Sequence, residues 1–364
     1  MLGQAVDIFR LRQYFNAATR VRALAEDLRD DAGLIDDLRR AVIALPFEQV
    51  TAMWHGFPRQ RRFRAPDFEG RRVALMATGG SGAMASLVGT ARALEEARVR
   101  PSVISLCSGS AMFGFPIAAG VPAAEVARFT TSLRPTDYID VAWARLAALL
   151  PTAGRGFAGI LDGDRIEATF HRLVGDVTLG DLPIPAYAPI WNVEHNRLEF
   201  LGPRTHPEVP VARAIRMAIA LPLLIEPVAL GDGSWCDGGI VDIFPVRPVL
   251  DIEDPCDIAL AINGFYPPGF AGEDETGWRD RRWSILDAAN QVRTCQQVEL
   301  ARINLERLRS RVEVRMIEPV PYERVRGAGF YRQFLSNRDW PQFMLAGHAR
   351  TRQELAHSTS PPSR

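Results

Sequence analysis

The chain has 364 residues, with 43 basic and 43 acidic side chains and a formal net charge of +0. It contains no lysine, so every basic residue is an arginine. This excludes a Schiff-base lysine, a lysine nucleophile and the lysine of a phosphate-binding P-loop. A balanced charge also argues against a nucleic-acid-binding protein that neutralises phosphates over a broad surface.

The remaining composition predicts a soluble, cytoplasmic protein with a large packed core, since 47% of the residues are hydrophobic. The first residues lack the basic-then-apolar order of a secretory signal, and no stretch reaches the roughly 18 apolar residues of a membrane span. No spacing of histidine, cysteine or aspartate indicates a metal or an organic cofactor. The four widely spaced cysteines predict free thiols: Cys107, Cys236, Cys256 and Cys295.

Residues 1–70 are predicted to form an N-terminal helical extension followed by a basic linker. Apolar residues recur at helical spacing through residues 1–57, and residues 58–66 form a proline-bounded connector. This connector is either a solvated linker or, with Phe63 among its arginines, a surface that attracts anionic membrane headgroups. The arginines concerned are Arg59, Arg61, Arg62, Arg64, Arg71 and Arg72.

From Arg72 onward the chain alternates between predicted strands and helices. A strand at 73–77 and a helix at about 85–96 are followed by a strand at 103–106 and a helix that ends near Gly120. Strand–turn–helix units at this spacing predict parallel βαβ units and therefore an α/β domain. A long helix is predicted at about 285–309, with Cys295 and Ile303 on its apolar side. Further strands are predicted at 185–193, 198–201, 228–230, 258–262 and 312–317, and a disordered tail at 357–364.

The first strand ends in a glycine-rich turn, Gly79-Gly80-Ser81-Gly82. Successive backbone N–H groups in such a turn suit an anion or an oxyanion. Residues 80–85 also fit the dinucleotide-binding pattern GxGxxA, which would indicate a nucleotide-dependent oxidoreductase. That pattern requires an acidic residue at the end of the second strand. The second strand ends Ser105-Leu106-Cys107, which disfavours this alternative.

Two further segments carry side chains that suit acyl transfer. Ser108 lies on a predicted strand-to-helix turn, where the positive end of the following helix favours negative charge on its oxygen. The small residue expected two positions after such a nucleophile is present as Ser110, but Leu106 occupies the preceding small-residue position. Asp237-Gly238-Gly239 can approach another backbone closely, because its glycines have no side chains. Each segment alone is also compatible with an ordinary helix start or a surface turn.

In this order the three segments resemble the patatin-like phospholipase family, from about residue 73 to 355 and most strongly at 73–120 and 210–248. The resemblance implies a patatin-like three-layer α/β/α domain at 71–356, with a mainly parallel central sheet and its motif core at 73–250. It implies a Ser108–Asp237 dyad in which Asp237 accepts the serine proton directly. The implied oxyanion hole is formed by the N–H groups of Gly79, Gly80, Ser81 and Gly82, and the supporting residues are Gly109, Gly238 and Gly239.

The sequence departs from the family pattern in both loops. Ser81 and Ala83 replace a third consecutive glycine and an arginine, Met84 replaces a further glycine, and Leu106 replaces the first glycine of the serine turn. These departures motivate an alternative, a catalytically weak or inactive lipid-binding or interaction protein on the same fold.

The resemblance implies lipid acyl esters as substrates, hydrolysed through an acyl-enzyme intermediate. Peripheral membrane contact is a separate hypothesis, which depends on the arginine-rich segment before the domain. His348 follows Ser108 and Asp237 in the serine–acid–histidine order of α/β-hydrolases, or it simply lies at the start of the C-terminal helix. The apolar residues after Ser108 either line an acyl channel or form helix core; they are Met112, Phe113, Phe115 and Ile117.

Overall fold

The computed structural model describes residues 62–148, 151–152, 157–231, 233–271, 285–325, 333–334 and 336–356, without the side chains of 285–293 and 323. The predicted N-terminal helices and the tail at 357–364 lie outside the described residues.

The described residues form a central sheet of eight strands in the order β10-β9-β1-β2-β4-β8-β7, with β5 also paired to β4. The pairs from β10 to β4 are parallel, and β4 pairs antiparallel with β5 and β8. A second, two-stranded sheet joins β3 and β6. The strands are β1 Val73–Ala77, β2 Val103–Ser105, β3 Gly159–Leu161, β4 Ala186–Asn192, β5 Arg197–Leu201, β6 Leu223–Ile225, β7 Val228–Leu230, β8 Gly233–Asp237, β9 Ile258–Ile262 and β10 Glu313–Ile317.

Helices cover both faces of the central sheet. Successive residues of a strand point to opposite faces, and all five residues of β1 are buried, so this strand contributes to two cores. Val73 and Leu75 join one core, whereas Met76 joins the other with Leu305 and Leu308. The helices are α1 Ser86–Ala97, α2 Ala111–Ala118, α3 Ala123–Ser132, α4 Pro135–Tyr138, α5 Trp143–Ala148, α6 Asp164–Val174, α7 Val211–Ala218, α8 Ile285–Arg309 and α9 Trp340–Ala356. The predicted three-layer α/β/α fold with a mainly parallel sheet is confirmed.

The bounds predicted for α8 are confirmed, but its predicted apolar side is wrong at two positions. Cys295 is exposed and Ile303 is 47% exposed. The buried side instead includes the amides of Gln297 and Asn304. These amides face inward because they donate hydrogen bonds to the loop that follows β8, at the carbonyl oxygens of residues 239 and 244.

The described part of the basic linker packs onto the domain. The Phe63 ring is half-buried and lies 4.4 Å from the Arg352 guanidinium carbon. Arg71 pairs with Glu313 at 2.8 Å, and Arg72 lies 3.6 Å from Asp254. These contacts favour the linker interpretation for this segment. None of the described helices combines the length and apolar composition needed to cross a bilayer.

Candidate active site

The glycine-rich turn follows β1 and enters a short 3₁₀ helix, Gly82–Ala85. Gly80 has φ +129°, and a Cβ there would lie 2.3 Å from the Phe265 Cβ. A Cβ on Gly82 would lie 1.8 Å from Trp340 Nε1. Both positions therefore require glycine, one for its backbone conformation and its neighbour, the other for the close approach of an indole ring.

The backbone N–H groups of this turn have two different uses. The Gly79 N–H donates to the Ile243 carbonyl at 3.1 Å, so it holds the turn against the segment after β8. Within the described residues, no hydrogen bond engages the N–H groups of Gly80, Ser81 and Gly82. Gly79 is therefore a structural member of the turn, in contrast to these three residues.

Ser108 follows β2 on a strained turn. Its φ is +49°, a region that side-chain-bearing residues rarely adopt. It begins the 3₁₀ helix Ser108–Ser110, which leads directly into α2. The Ser110 hydroxyl donates to the Cys107 carbonyl and accepts from the Cys107 N–H, both at 2.8 Å. A Cβ on Gly109 would lie 2.6 Å from the Gly80 carbonyl oxygen, so this glycine lets the two loops pack together.

Leu106 departs from the family pattern, and the structure shows how its bulk is accommodated. The side chain is fully buried. A Cβ on Gly114 of α2 would lie 2.2 Å from the Leu106 Cδ2, so the leucine fills space that any larger residue at 114 would occupy. The serine turn keeps its left-handed residue with leucine at this position.

Asp237 ends β8 opposite Ile190 of β4, and it is 1% exposed. Its Oδ1 accepts a hydrogen bond from the Gly239 N–H at 2.8 Å. A Cβ on Gly239 would lie 2.9 Å from that Oδ1 and 3.6 Å from the Ser108 Cβ. The absence of a side chain at 239 therefore lets the aspartate and the serine lie next to each other. Gly238 approaches β4 in the same way, with its Cβ position 2.4 Å from the Pro189 carbonyl carbon.

Buried side chains that the sequence analysis did not identify support this loop. Gln297 Nε2 donates to the Gly239 carbonyl, and Asn304 Nδ2 donates to Asp242 Oδ1 at 3.1 Å. The available signal was a pair of amides seven residues apart on one face of a helix. The Cys107 thiol donates to the Asp242 carbonyl at 3.4 Å. Burial, and then the charges of Asp237 and Asp242, raise its pKa well above the usual value, so it is a neutral thiol.

Asp242 links the stability of this loop to pH. Burial raises the pKa of its carboxyl group from 3.8 to about 6, against hydrogen bonds from the Phe244 N–H and Asn304. Between about pH 4 and 6 the folded protein binds a proton that the unfolded chain releases, so the free energy of unfolding falls as pH rises through this window. At neutral pH the raised pKa of Asp242 lowers the free energy of unfolding by about 3 kcal/mol.

We expect Asp242→Asn to remove this pH-dependent loss of stability. As the pH rises from 4 to 7.5, the free energy of unfolding of the variant should increase relative to that of wild type by up to about 3 kcal/mol. Urea unfolding at several pH values measures this difference. A difference between the two proteins that stays constant with pH would contradict the buried-carboxyl explanation.

An apolar cleft borders Ser108. Its walls include Met112 from α2, Ile166 from α6, Leu224 from β6 and Trp340 from α9, with Ser81 and Ser108 among its polar residues. Met112 is thus the residue of the predicted apolar set that lines the cleft. Phe113 and Phe115 are fully buried in the core. Within the described residues, no group of three or more histidine, cysteine, aspartate or glutamate side chains could hold a metal ion.

His348 lies within α9, which begins at Trp340, so it does not stand at the start of the C-terminal helix. It is buried, and its Nε2 lies 3.1 Å from Glu96 Oε2 on α1. Arg352 Nη1 also donates to that oxygen, at 2.6 Å. The ring thus lies against a pair of opposite charges between α1 and α9.

The fold and the site define an α/β protein in which a glycine turn, a serine turn and an Asp-Gly-Gly segment meet beside an apolar cleft. Residues 75–250 match the family model described as patatin-like phospholipase. The match assigns the segment 75–250 to this patatin-like family.

Individual relatives match over limited lengths. An uncharacterized NTE family protein of Mycobacterium bovis is 31% identical over 107 residues, which is 29% of this chain and 28% of the relative. Lysophospholipase NTE1 of Cryptococcus neoformans var. neoformans is 23% identical over 211 residues, which is 57% of this chain and 12% of the relative. The chain therefore spans only a minor part of the length of these curated relatives.

Two solved structures are similar to this chain at TM-scores below 0.5. VipD from Legionella pneumophila has a TM-score of 0.44 and 17% identity, covering 78% of this chain and 67% of VipD. Human GIVD cytosolic phospholipase A2, in complex with a methyl γ-linolenyl fluorophosphonate inhibitor, has a TM-score of 0.42 and 12% identity, covering 89% of this chain and 62% of that enzyme.

Proposed function

We propose that this protein hydrolyses acyl esters of lipids, as a phospholipase A or lysophospholipase, through a Ser108–Asp237 dyad. One observation carries the proposal. Ser108 stands in a left-handed conformation at a helix start, and a Cβ on Gly239 would lie 3.6 Å from the Ser108 Cβ and 2.9 Å from Oδ1 of the buried Asp237, so this glycine leaves room for the two side chains to approach. A serine hydroxyl that can approach a carboxylate, beside N–H groups that have no hydrogen-bond partner among the described residues, suits acyl transfer.

The proposed reaction has two halves. Ser108 Oγ attacks the acyl carbonyl carbon while Asp237 takes its proton, and the departing alcohol receives that proton as the ester bond breaks. Water then attacks the acyl-enzyme, giving its proton to Asp237, and the fatty acid leaves as Ser108 regains a proton. These steps require neither a metal nor an organic cofactor.

Stabilisation of the oxyanion must supply much of the rate, because an ordinary aspartate with a pKa near about 3.9 is a poor base for a serine hydroxyl. We assign this task to the N–H groups of Gly80, Ser81 and Gly82, since the Gly79 N–H is used within the fold. Each such donor is typically worth about 3–4 kcal/mol. The N-terminal end of α2 adds a field of the same sign.

The apolar cleft favours a lipid acyl chain over a polar acyl group, and peripheral contact with a membrane is part of the proposal. Trp143 is 74% exposed and Leu223 is 68% exposed. Leu223 adjoins Leu224, which lines the cleft. Arg145, two residues after Trp143, pairs with both Asp162 and Glu226. This region therefore presents apolar side chains and paired charges, which suit a zwitterionic lipid surface.

The proposal is tested by fatty-acid release from lysophosphatidylcholine micelles and from phosphatidylcholine vesicles, beside hydrolysis of a soluble butyrate ester. We expect wild type to act on the soluble ester and on at least one lipid. The double variant Trp143→Ala/Leu223→Ser should lose most activity on lipid aggregates and keep its activity on the butyrate ester. Ile303→Ser, an exposed residue on α8, is the matched control and should behave as wild type.

Folded wild type without activity on any ester would contradict the hydrolase proposal and support the inactive lipid-binding alternative. Loss of both activities in the double variant, or of neither, would remove the proposed membrane contact alone.

A further inference from the structure

The Ser81 side chain is a buried polar group that no other described residue contacts through a hydrogen bond. The residue is 7% exposed, and its Oγ has no hydrogen-bond partner within the described residues. Leaving a buried hydroxyl unsatisfied is unfavourable, so such groups in folded proteins call for an explanation. Here the neighbouring positions require glycine, and the family pattern would place a third glycine at 81 as well.

Ser81 lies at the reacting end of the cleft. It lines the cleft together with Ser108, Gly82 and Gly109. A Cβ on Gly109, the residue after the serine, would lie 2.9 Å from the Ser81 carbonyl oxygen. The hydroxyl thus belongs to the loop that packs directly on the serine turn, in the region where an acyl oxygen would become negatively charged.

We propose that the Ser81 hydroxyl is a further catalytic residue, which donates a hydrogen bond to the oxyanion formed when Ser108 attacks the ester. This inference rests on the proposed function. It assigns the side chain a role separate from that of its own backbone N–H. The Gly79 N–H donates to the Ile243 carbonyl, so the oxyanion hole has one backbone donor fewer than the four that the family resemblance implies. The Ser81 hydroxyl adds a donor to this reduced set. A donor left unpaired in the free protein gains its partner in the transition state, which is how binding energy raises kcat.

The structure offers a matched control in Ser86. Its hydroxyl is also buried and has no hydrogen-bond partner in the described part of the chain, but Ser86 begins α1 and lies outside the cleft lining. Removing either hydroxyl eliminates a buried unsatisfied group, so neither change should destabilise the fold. Only the hydroxyl at 81 should affect the reaction.

The test compares wild type with Ser81→Ala, Ser81→Gly and Ser86→Ala on a soluble ester, with thermal unfolding and fluorophosphonate labelling of Ser108 measured in parallel. We expect Ser81→Ala and Ser81→Gly to lower kcat by about 10²–10³-fold with little change in KM. The melting temperature of Ser81→Ala should be unchanged or higher. Ser86→Ala should keep the wild-type kcat.

Three results would overturn the inference. If kcat of Ser81→Ala equals that of wild type while both are labelled at Ser108, the hydroxyl has no catalytic role and the proposed function stands. If Ser86→Ala loses as much activity as Ser81→Ala, or if Ser81→Ala unfolds at a lower temperature, the effect is structural. If wild type neither hydrolyses esters nor reacts at Ser108, both the inference and the proposed function are overturned.

Discussion

Replacing Ser108 by alanine, or Asp237 by asparagine, should lower ester turnover by about 10⁴-fold or more while the domain stays folded. Ser108→Ala removes the nucleophile and leaves in place the hydrogen bonds between Ser110 and Cys107 that support the serine turn. Asp237→Asn removes the proposed base but keeps an oxygen that can accept the Gly239 N–H. Both changes are therefore chemical rather than structural.

The measurement is kcat on a soluble ester, with circular dichroism and thermal unfolding of each variant. Asp254→Asn is the matched control, because that carboxylate lies in an exposed pair with Arg72 and should tolerate the change without loss of turnover. Either dyad variant with more than about a tenth of wild-type turnover would exclude its residue from the proposed mechanism, since a lost general base or nucleophile costs far more.

The second large effect concerns stability at the contact between Leu106 and Gly114. Leu106→Ala should cost about 2–5 kcal/mol, because it leaves a cavity in a fully buried region. Gly114→Ala should cost about 1–3 kcal/mol, because its methyl group meets the leucine. In the double variant the new methyl group occupies part of the vacated space. We expect the combined cost to be at least about 1 kcal/mol below the sum of the two single costs.

Urea unfolding of the four proteins gives this coupling directly. The control cycle pairs Gly114→Ala with Leu305→Ala, a buried leucine in the core on the opposite face of the sheet, and its costs should add. Additive costs in the Leu106–Gly114 cycle would show that the glycine does not accommodate the leucine.

Much of the fold follows from local sequence patterns. The bounds of β7, β9 and α8 agree with the prediction, because buried runs bounded by turn residues and helical periodicity are local signals. The serine and aspartate were identified in the same way, from the glycines beside them. The glycine turn and the serine turn follow β1 and β2, which are parallel, so their carboxyl ends share one edge of the sheet. Because β8 runs antiparallel to β4, the pairing of Asp237 with Ser108 followed only from the family resemblance.

The unpredicted features all depend on contacts between distant segments. The Gly79 N–H pairs with Ile243, more than 160 residues away in sequence. The amides of Gln297 and Asn304 on α8 are buried because they donate hydrogen bonds to the loop after β8. Cys295 and Ile303 on the same helix are exposed. His348 pairs with Glu96 across two helices. The partners of these groups are set by packing, which periodicity and motif spacing do not encode.

Reaction with a fluorophosphonate ester, followed by intact-mass measurement and peptide mapping, tests the central claim most directly, because the reagent forms a bond only with an activated nucleophile. We predict one adduct per chain, located on Ser108, absent from Ser108→Ala and formed much more slowly in Asp237→Asn. Folded wild-type protein that forms no adduct, or forms it on another residue, would contradict the account.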